Sequence, residues 1–249
     1  MKLEKIIFED RFAKVSAEGN RQIKVYSADY SPCDVFREAM NQSIVAEATP
    51  YVWKILDAGK TRDGLWFVES EYEDGKTLAE LMCEHPEKED EYLNLMISLQ
   101  IELYKRTVHD MVKLSDKMFR KIEEADMSAT LRCDLHMRLL SMPKTLKICH
   151  GNFRPQNITL TADGRPFVTD WAHATLGNSG ADIARTYLMF ILDGKKELGE
   201  KYISLMCERA NQPLEYIYRW MPIVAASQSV KNIPGERDTL MYFINSPDY

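Results

Sequence analysis

Apolar and polar residues fall into short runs over the first seventy positions and then take up helical spacing. Leu3 to Phe8, Phe12 to Ser16 and Gln22 to Tyr26 are strand-like, and Ala17-Glu18-Gly19-Asn20 between the last two is a hairpin signal. Tyr51 to Leu56 and Leu65 to Ser70 predict two further strands, on either side of the turn residues Thr61-Arg62-Asp63-Gly64. Between the two groups, Ser31-Pro32-Cys33-Asp34 predicts a helix start, with Ser31 as cap, Pro32 in the first helical position and Asp34 as a capping-box acid. Val35, Phe36, Ala39, Met40 and Ile44 would form its apolar stripe, which leaves Glu38 facing a polar cleft or water. Five strands and one helix make a small α+β lobe.

The pattern changes after Glu71-Tyr72-Glu73-Asp74-Gly75. Thr77 to Cys83, Asp90 to Thr107, Ser115 to Ala125 and Ser128 to Ser141 carry helical periodicity, and helices resume from Ala181. A strand-and-loop island, Ile148 to Asp170, interrupts them. The expected organisation is therefore an N-terminal lobe over 1–70, a hinge over 71–76 and a helical C-terminal lobe over 77–249.

Composition narrows the function classes. The 249 residues hold 32 Lys and Arg against 38 Asp and Glu, a net charge of −6. That balance opposes binding to a nucleic-acid backbone, which requires concentrated basic charge. No apolar run reaches the roughly 18 residues of a membrane helix, and charges interrupt the first ten residues where a signal peptide needs an apolar stretch. A soluble, cytoplasmic protein is expected, with oligomeric state left open. The five cysteines are odd in number and contain no C-x-x-C pair, so they are expected to be buried, reduced thiols. Only 11 residues are glycine, the first of them Gly19.

The island carries the chemistry. Asp163-Gly164 is a two-residue hairpin signal. With that loop Ala162 faces Arg165 and Asn157 faces Asp170, at the about 4.5–5.5 Å Cβ separation of opposed residues. An amide oxygen beside a carboxylate suits Mg²⁺, which takes oxygen ligands and shares phosphate oxygens and water. Asn and Asp at strand ends also serve as turn formers that bond their own backbone. The hairpin alone leaves both readings standing.

The run His150-Gly151-Asn152, four further residues and Asn157, followed by Asp170-Trp171, resembles the catalytic segment of the aminoglycoside phosphotransferase and choline kinase-like family. The resemblance extends over most of the chain and implies a bilobal protein-kinase-like fold, with a five-stranded N-lobe carrying one helix and a mainly helical C-lobe. It implies that Lys24 binds nucleotide phosphates, that Glu38 pairs with Lys24, and that Glu71 to Leu78, with Glu71 and Glu73, is the hinge that meets adenine. It further implies that Asn157 and Asp170 bind Mg²⁺ with ATP or GTP as donor, that His150 supports the loop, and that Asp182 supports it from behind. The expected activity is transfer of the γ-phosphoryl group to a small-molecule hydroxyl.

Two departures qualify this expectation. The family has Asp as catalytic base where this chain has Asn152, and a neutral amide can orient a hydroxyl but not take its proton. The loop Glu9-Asp10-Arg11-Phe12 lacks the glycine that lets backbone approach phosphate closely. An attenuated enzyme is expected, and the alternative is a catalytically inactive, pseudokinase-type module binding nucleotide or metabolite. Glu215-Tyr216 with Trp220, and Glu236-Arg237-Asp238, supply acids and aromatics suited to a cationic acceptor, although Tyr216, Trp220, Ile223 and Val224 also have core-facing spacing.

Overall fold

Short β-branched and aromatic runs punctuated by turns build the first sheet, and the computed structural model of the chain describes residues 5–246. Its strands are β1 (Lys5–Glu9), β2 (Ala13–Glu18) and β3 (Arg21–Tyr26), followed by α1 (Pro32–Ala48), then β4 (Ile55–Lys60) and β5 (Trp66–Glu71). All neighbours are antiparallel, in the order β1-β2-β3-β5-β4. Gly19 and Asn20 close the β2–β3 hairpin between Glu18 and Arg21, with Gly19 at φ 60°, a backbone conformation that a two-residue hairpin demands and that glycine adopts without strain. Leu3 and Glu4, expected at the start of β1, lie outside the described residues.

The expected strand over Tyr51–Leu56 is corrected, because β4 begins only at Ile55. The apolar residues ahead of it serve the core. Trp53 stacks on Phe167 at 4.9 Å and packs with Tyr72. β4 is an edge strand with mostly exposed side chains, so its sequence lacks the alternation of a half-buried strand.

The stripe expected on α1 is also corrected. Val35 and Ala39 are buried with Tyr26, Val68 and Ala13, but Phe36 is 46% and Met40 43% exposed. The polar residues Glu38 and Asn41 are buried in their place. Ser31 takes the N-cap position without a side-chain cap bond, and Asp34 pairs with Arg37 rather than forming a capping box.

The remaining elements are β6 (Gly75–Thr77), α2 (Leu78–Glu84), α3 (Glu89–Tyr104), α4 (Leu114–Glu124), α5 (Ala129–Ser141), β7 (Lys147–Cys149), β8 (Ile158–Thr161), β9 (Pro166–Val168), β10 (Thr175–Gly177), α6 (Ser179–Leu192), α7 (Lys196–Ala210), α8 (Leu214–Tyr218), α9 (Met221–Ser229) and α10 (Arg237–Ile244). A full capping box begins α2: Thr77 accepts from the Glu80 N–H at 3.2 Å and Glu80 accepts from the Thr77 N–H at 2.7 Å.

The chain divides into two compact units. One holds the residues up to Tyr92 with Val108–Asp110 and Pro155–Ala174, and so contains the five-stranded sheet, α1 and the three-stranded sheet β6-β8-β9. The other holds Leu93–Thr107, Met111–Arg154 and the residues from Thr175 onward. It is mainly helical, with the two-stranded pair β7–β10, and buries α6 along most of its length. No described helix is long and apolar enough to cross a membrane. The cysteine expectation is corrected: Cys149 is buried, but Cys33, Cys83 and Cys133 lie exposed on outward helix faces.

Candidate active site

Lys24 lies in β3, where successive side chains alternate between the two faces of the sheet. Its Nζ meets Glu38 Oε1 of α1 at 2.6 Å, and the Tyr26 hydroxyl donates to Glu38 Oε2 at 3.0 Å. Both carboxylate oxygens of a buried glutamate are thereby satisfied. Burial by itself lowers the Lys24 pKa, but the charges of Glu38 and Asp170 more than offset it and hold the ammonium above its ordinary value. Lys24 remains fully charged at neutral pH. The Tyr30 hydroxyl, stacked on Tyr26 at 4.9 Å, is pushed up to about 12 by burial and by Glu38.

The β8–β9 hairpin corrects the expected register by one residue. Ile158 faces Val168, Thr159 faces Phe167 and Leu160 faces Pro166, so Asn157 stands opposite Thr169, whose N–H donates to the Asn157 carbonyl at 2.9 Å. The cause is the loop. It has three residues, Ala162-Asp163-Gly164, with Gly164 at φ 83° in the left-handed position that closes such a loop. The Thr161 hydroxyl locks it by accepting from the Arg165 N–H at 3.0 Å.

Asn157 and Asp170 nevertheless come together. Asp170 has φ 64° and ψ 63°, an uncommon backbone for a residue other than glycine, and this turn brings its Oδ2 to 3.4 Å from the Asn157 amide nitrogen. Trp171 is fully buried, and Asn41 of α1 donates to its carbonyl at 3.0 Å. Glu38 and Asn41, one turn apart, thus fix Lys24 and the segment that follows Asp170. Asn41, Tyr26 and Tyr30 escaped the sequence reading; the buried polar face of α1 was masked by the apolar Phe36 and Met40.

The pair at 157 and 170 passes a test of fit for Mg²⁺. Two adjacent ligands of an octahedral ion at about 2.1 Å stand about 3 Å apart, close to the observed separation, and turning the Asn157 amide over presents oxygen instead of nitrogen. Mg²⁺ is commonly held by one or two protein groups plus phosphates. Among the described residues no cluster of three or more His, Cys, Asp or Glu offers an all-protein cage.

The loop between β1 and β2 is closed by its own side chain. Asp10 Oδ1 accepts from the N–H groups of Phe12 and Ala13, each at 2.8 Å. Two backbone donors that a glycine-rich loop would turn to phosphate are therefore taken by a carboxylate. In the segment expected to act as hinge, Glu71 accepts from the Lys54 N–H at 3.1 Å, the Tyr72 N–H donates to the Asn20 carbonyl at 2.9 Å, and Glu73 pairs with Arg165.

The second compact unit holds His150, Asn152 and Asp182. His150 is fully buried, edge-on to Phe153, and its Nδ1 accepts from the Asn152 N–H at 3.2 Å. Gly151 has φ 76°, and its N–H donates to Asp182 Oδ1 at 2.7 Å. Asp182 Oδ2 accepts from Tyr104 at 3.0 Å and Gln100 at 3.1 Å, while Gln100 accepts from the Tyr202 hydroxyl at 2.6 Å. Burial, reinforced by Asp182, raises the Tyr104 and Tyr202 hydroxyls well above their ordinary values, so both remain donors. This network fixes the backbone beside Asn152.

Of the groups considered for a cationic acceptor, Tyr216, Trp220 and Glu236 have partners within their own unit, while Glu215 is exposed. Tyr216 and Trp220 pack against Gly180 of α6, where an added Cβ would lie 2.8 and 2.9 Å from their rings, and Glu236 accepts from Gln228 at 2.7 Å. Gly180→Ala is accordingly expected to destabilise the chain by about 1–3 kcal/mol, the range for overpacking a filled core, as read by urea unfolding.

A five-stranded antiparallel sheet with a Lys–Glu pair, a mainly helical remainder and a His-Gly-Asn loop anchored by the buried His150 define a protein of the kinase-like phosphotransferase class. The chain is matched over residues 9–207 by the model of the phosphotransferase enzyme family, and it belongs to that family. Among solved structures it resembles a choline/ethanolamine kinase family protein from Mesorhizobium loti, with TM-score 0.65 and 10% identity over 98% of this chain and 88% of that one. It also resembles the choline kinase LicA from Streptococcus pneumoniae, with TM-score 0.62 and 12% identity over 96% and 87% of the two chains. A third likeness is to the aminoglycoside phosphotransferase APH(4)-Ia, with TM-score 0.66 and 15% identity over 96% and 89%. LicA has been solved with AMP, and a thermostable APH(4)-Ia mutant with ADP and hygromycin B. No curated protein matches the chain by sequence.

Proposed function

We propose that this chain transfers the γ-phosphoryl group of ATP or GTP, as its Mg²⁺ complex, to the hydroxyl of a small molecule, at a rate attenuated by Asn152. The observation that carries the reading is the Lys24–Glu38 pair at 2.6 Å, with the Asp170 charge acting on Lys24 and Asn157 3.4 Å from Asp170. Lys24 neutralises and orients phosphate oxygens, and Glu38 and Tyr26 keep it pointed. Asn157 and Asp170 would hold Mg²⁺, which when bound neutralises charge that builds up on the transferring group. Asn152 orients the acceptor hydroxyl by hydrogen bonding. The backbone of the 71–76 hinge would meet the base. Relatives solved with AMP or with ADP support nucleotide use.

The test is calorimetric titration of ATP with and without Mg²⁺, followed by turnover against a panel of alcohols, in the parent chain and in Lys24→Met. Mg²⁺-dependent binding that Lys24→Met abolishes supports the reading; Mg²⁺-independent binding, or binding indifferent to Lys24, overturns it. A second reading, a non-catalytic nucleotide-binding module, is favoured by the neutral Asn152 and by Asp10. Binding without turnover across the whole panel would select it.

Asp10 yields a separate expectation. Asp10→Ala releases the Phe12 and Ala13 N–H groups and removes a negative charge from the loop. Unit charges about 4 Å apart in water interact by about 1 kcal/mol, so Mg·ATP should bind about fivefold more tightly in the variant, as measured by its Kd.

A further inference from the structure

A stack of aromatic rings ties the β1–β2 loop to the Lys24–Glu38 pair, and the proposed chemistry gives it no part. Tyr30 is its middle member. Its ring lies 4.9 Å from that of Tyr26 at an interplanar angle of 30°, and the Phe12 ring meets it edge-on at 6.1 Å and 70°. The Tyr26 hydroxyl continues the series to Glu38 Oε2 at 3.0 Å. The Lys24 ammonium, 2.6 Å from Glu38 Oε1, stands 5.1 Å from the Tyr26 ring centroid. At the loop end, the Arg11 guanidinium lies 4.2 Å from the centroid of Phe12.

Tyr30 also bears on how α1 begins. It precedes the N-cap Ser31, the place from which a hydrophobic staple sets the angle at which a chain enters a helix. There it packs on the cluster of Ala13, Tyr26, Val35, Ala39 and Val68, of which Val35 and Ala39 belong to α1. Backbone bonds anchor this side of the stack. The Tyr30 N–H donates to the Ser27 carbonyl at 3.1 Å, and the Ser27 N–H donates to the Phe12 carbonyl at 2.8 Å. The second bond holds Phe12 independently of Asp10. Tyr30 therefore joins the loop, β3 and the helix that carries Glu38.

Core packing alone does not call for this arrangement. Phe12 is 41% exposed and Tyr30 only half-buried, so their contact removes little apolar surface from water. Its effect is geometric, because an edge-to-face or offset pair restricts the relative place of its two rings. We propose that Tyr30 is a positioning residue for Lys24: clamped between Phe12 and Tyr26 at the start of α1, its ring keeps Glu38 against Lys24, so that the ammonium is presented to phosphate in one place. The inference rests on the phosphotransferase reading and adds to it a residue that acts through Glu38. The ring does this, and the hydroxyl is dispensable.

The test follows acetylation of the Lys24 amine by acetic anhydride, resolved by peptide mass spectrometry, together with the Kd for Mg·ATP. The reagent attacks the uncharged amine, which pairing with Glu38 suppresses. Tyr30→Ala is expected to speed Lys24 acetylation and to weaken Mg·ATP binding, each by about twofold to tenfold, the range of one aromatic contact. Tyr30→Phe should restore both. Phe12→Ala truncates a surface ring, should shift both readouts in the same direction, and serves where Tyr30→Ala does not fold. In a Glu38→Gln background, Tyr30→Ala should leave Lys24 acetylation unchanged, because its route to Lys24 is already cut. A merely structural role would speed acetylation there too, and that result overturns the inference. Parent-like acetylation in Tyr30→Ala and Phe12→Ala also overturns it, as does a Tyr30→Phe variant no better than Tyr30→Ala. So does Mg·ATP affinity that Tyr30→Ala leaves unchanged. If the acetylation results hold but the parent chain binds no Mg·ATP, the phosphotransferase reading falls while the positioning of Lys24 by Tyr30 stands.

Discussion

Asn152→Asp is expected to raise phosphoryl transfer by about 10²–10⁴, the usual contribution of a positioned general base. The amide of Asn152 can orient a hydroxyl, but the proton released on attack must then go to solvent. A carboxylate at the same place accepts it directly. On the proposed function, the rate left to the parent would be the share of phosphoryl transfer carried by positioning and by charge on Lys24 and a bound Mg²⁺, a large share where the transition state is mostly dissociative. Steady-state kinetics with a good acceptor should show the gain in kcat, with KM for nucleotide unchanged, since Lys24, Glu38, Asn157 and Asp170 are untouched. No gain at any acceptor concentration would remove Asn152 from the base position.

Glu38→Ala should produce the largest loss. It leaves Lys24 partly buried beside Asp170 without its near partner and strands the Tyr26 hydroxyl, whose acceptor is Glu38 Oε2 at 3.0 Å. Breaking one side of a buried ion pair costs about 3–5 kcal/mol, and the quarter exposure of the Lys24 side chain places the expected loss at the lower end of that range. Urea unfolding measures it directly. Mg·ATP affinity should fall in the fraction that stays folded, because an unguided lysine no longer presents its charge to phosphate. Glu38→Gln separates the two effects: it can still accept from Tyr26, so stability recovers in part, while the positioning of Lys24 does not.

Much of this arrangement was legible in the chain itself. The five strands, the helix after Pro32 and the helical remainder follow from periodicity and from turn residues whose chemistry is local. Lys24, Glu38, Asn152, Asn157 and Asp170 were legible only as an ordered set of motifs, since an exposed strand lysine or a solvated helix glutamate reads the same in isolation. Long-range packing hid the rest. Phe36 and Met40 suggested the wrong buried face for α1, because tertiary contacts of Glu38 with Lys24 and of Asn41 with Trp171 outweigh the hydrophobic count on one helix. Tyr51 to Lys54 resembled a strand because Trp53 is a core anchor for Phe167. Asp163-Gly164 suggested a two-residue loop, but the same dipeptide also ends a three-residue loop with Gly164 left-handed, and only Thr161, which locks that loop, decides between them. The Asp10 turn is local, a carboxylate meeting the N–H groups two and three residues on, but an Asp in a solvated loop reads the same in the sequence.

Asp182 grips Gly151 by its backbone, and His150 accepts from the backbone of residue 152. The frame of the loop and its occupant are therefore separable. Exchange of an amide for a carboxylate at position 152 alters the chemistry of one side chain while leaving these supporting bonds in place. Under the proposed function, that single interchange would set the rate of transfer without disturbing the frame that presents it.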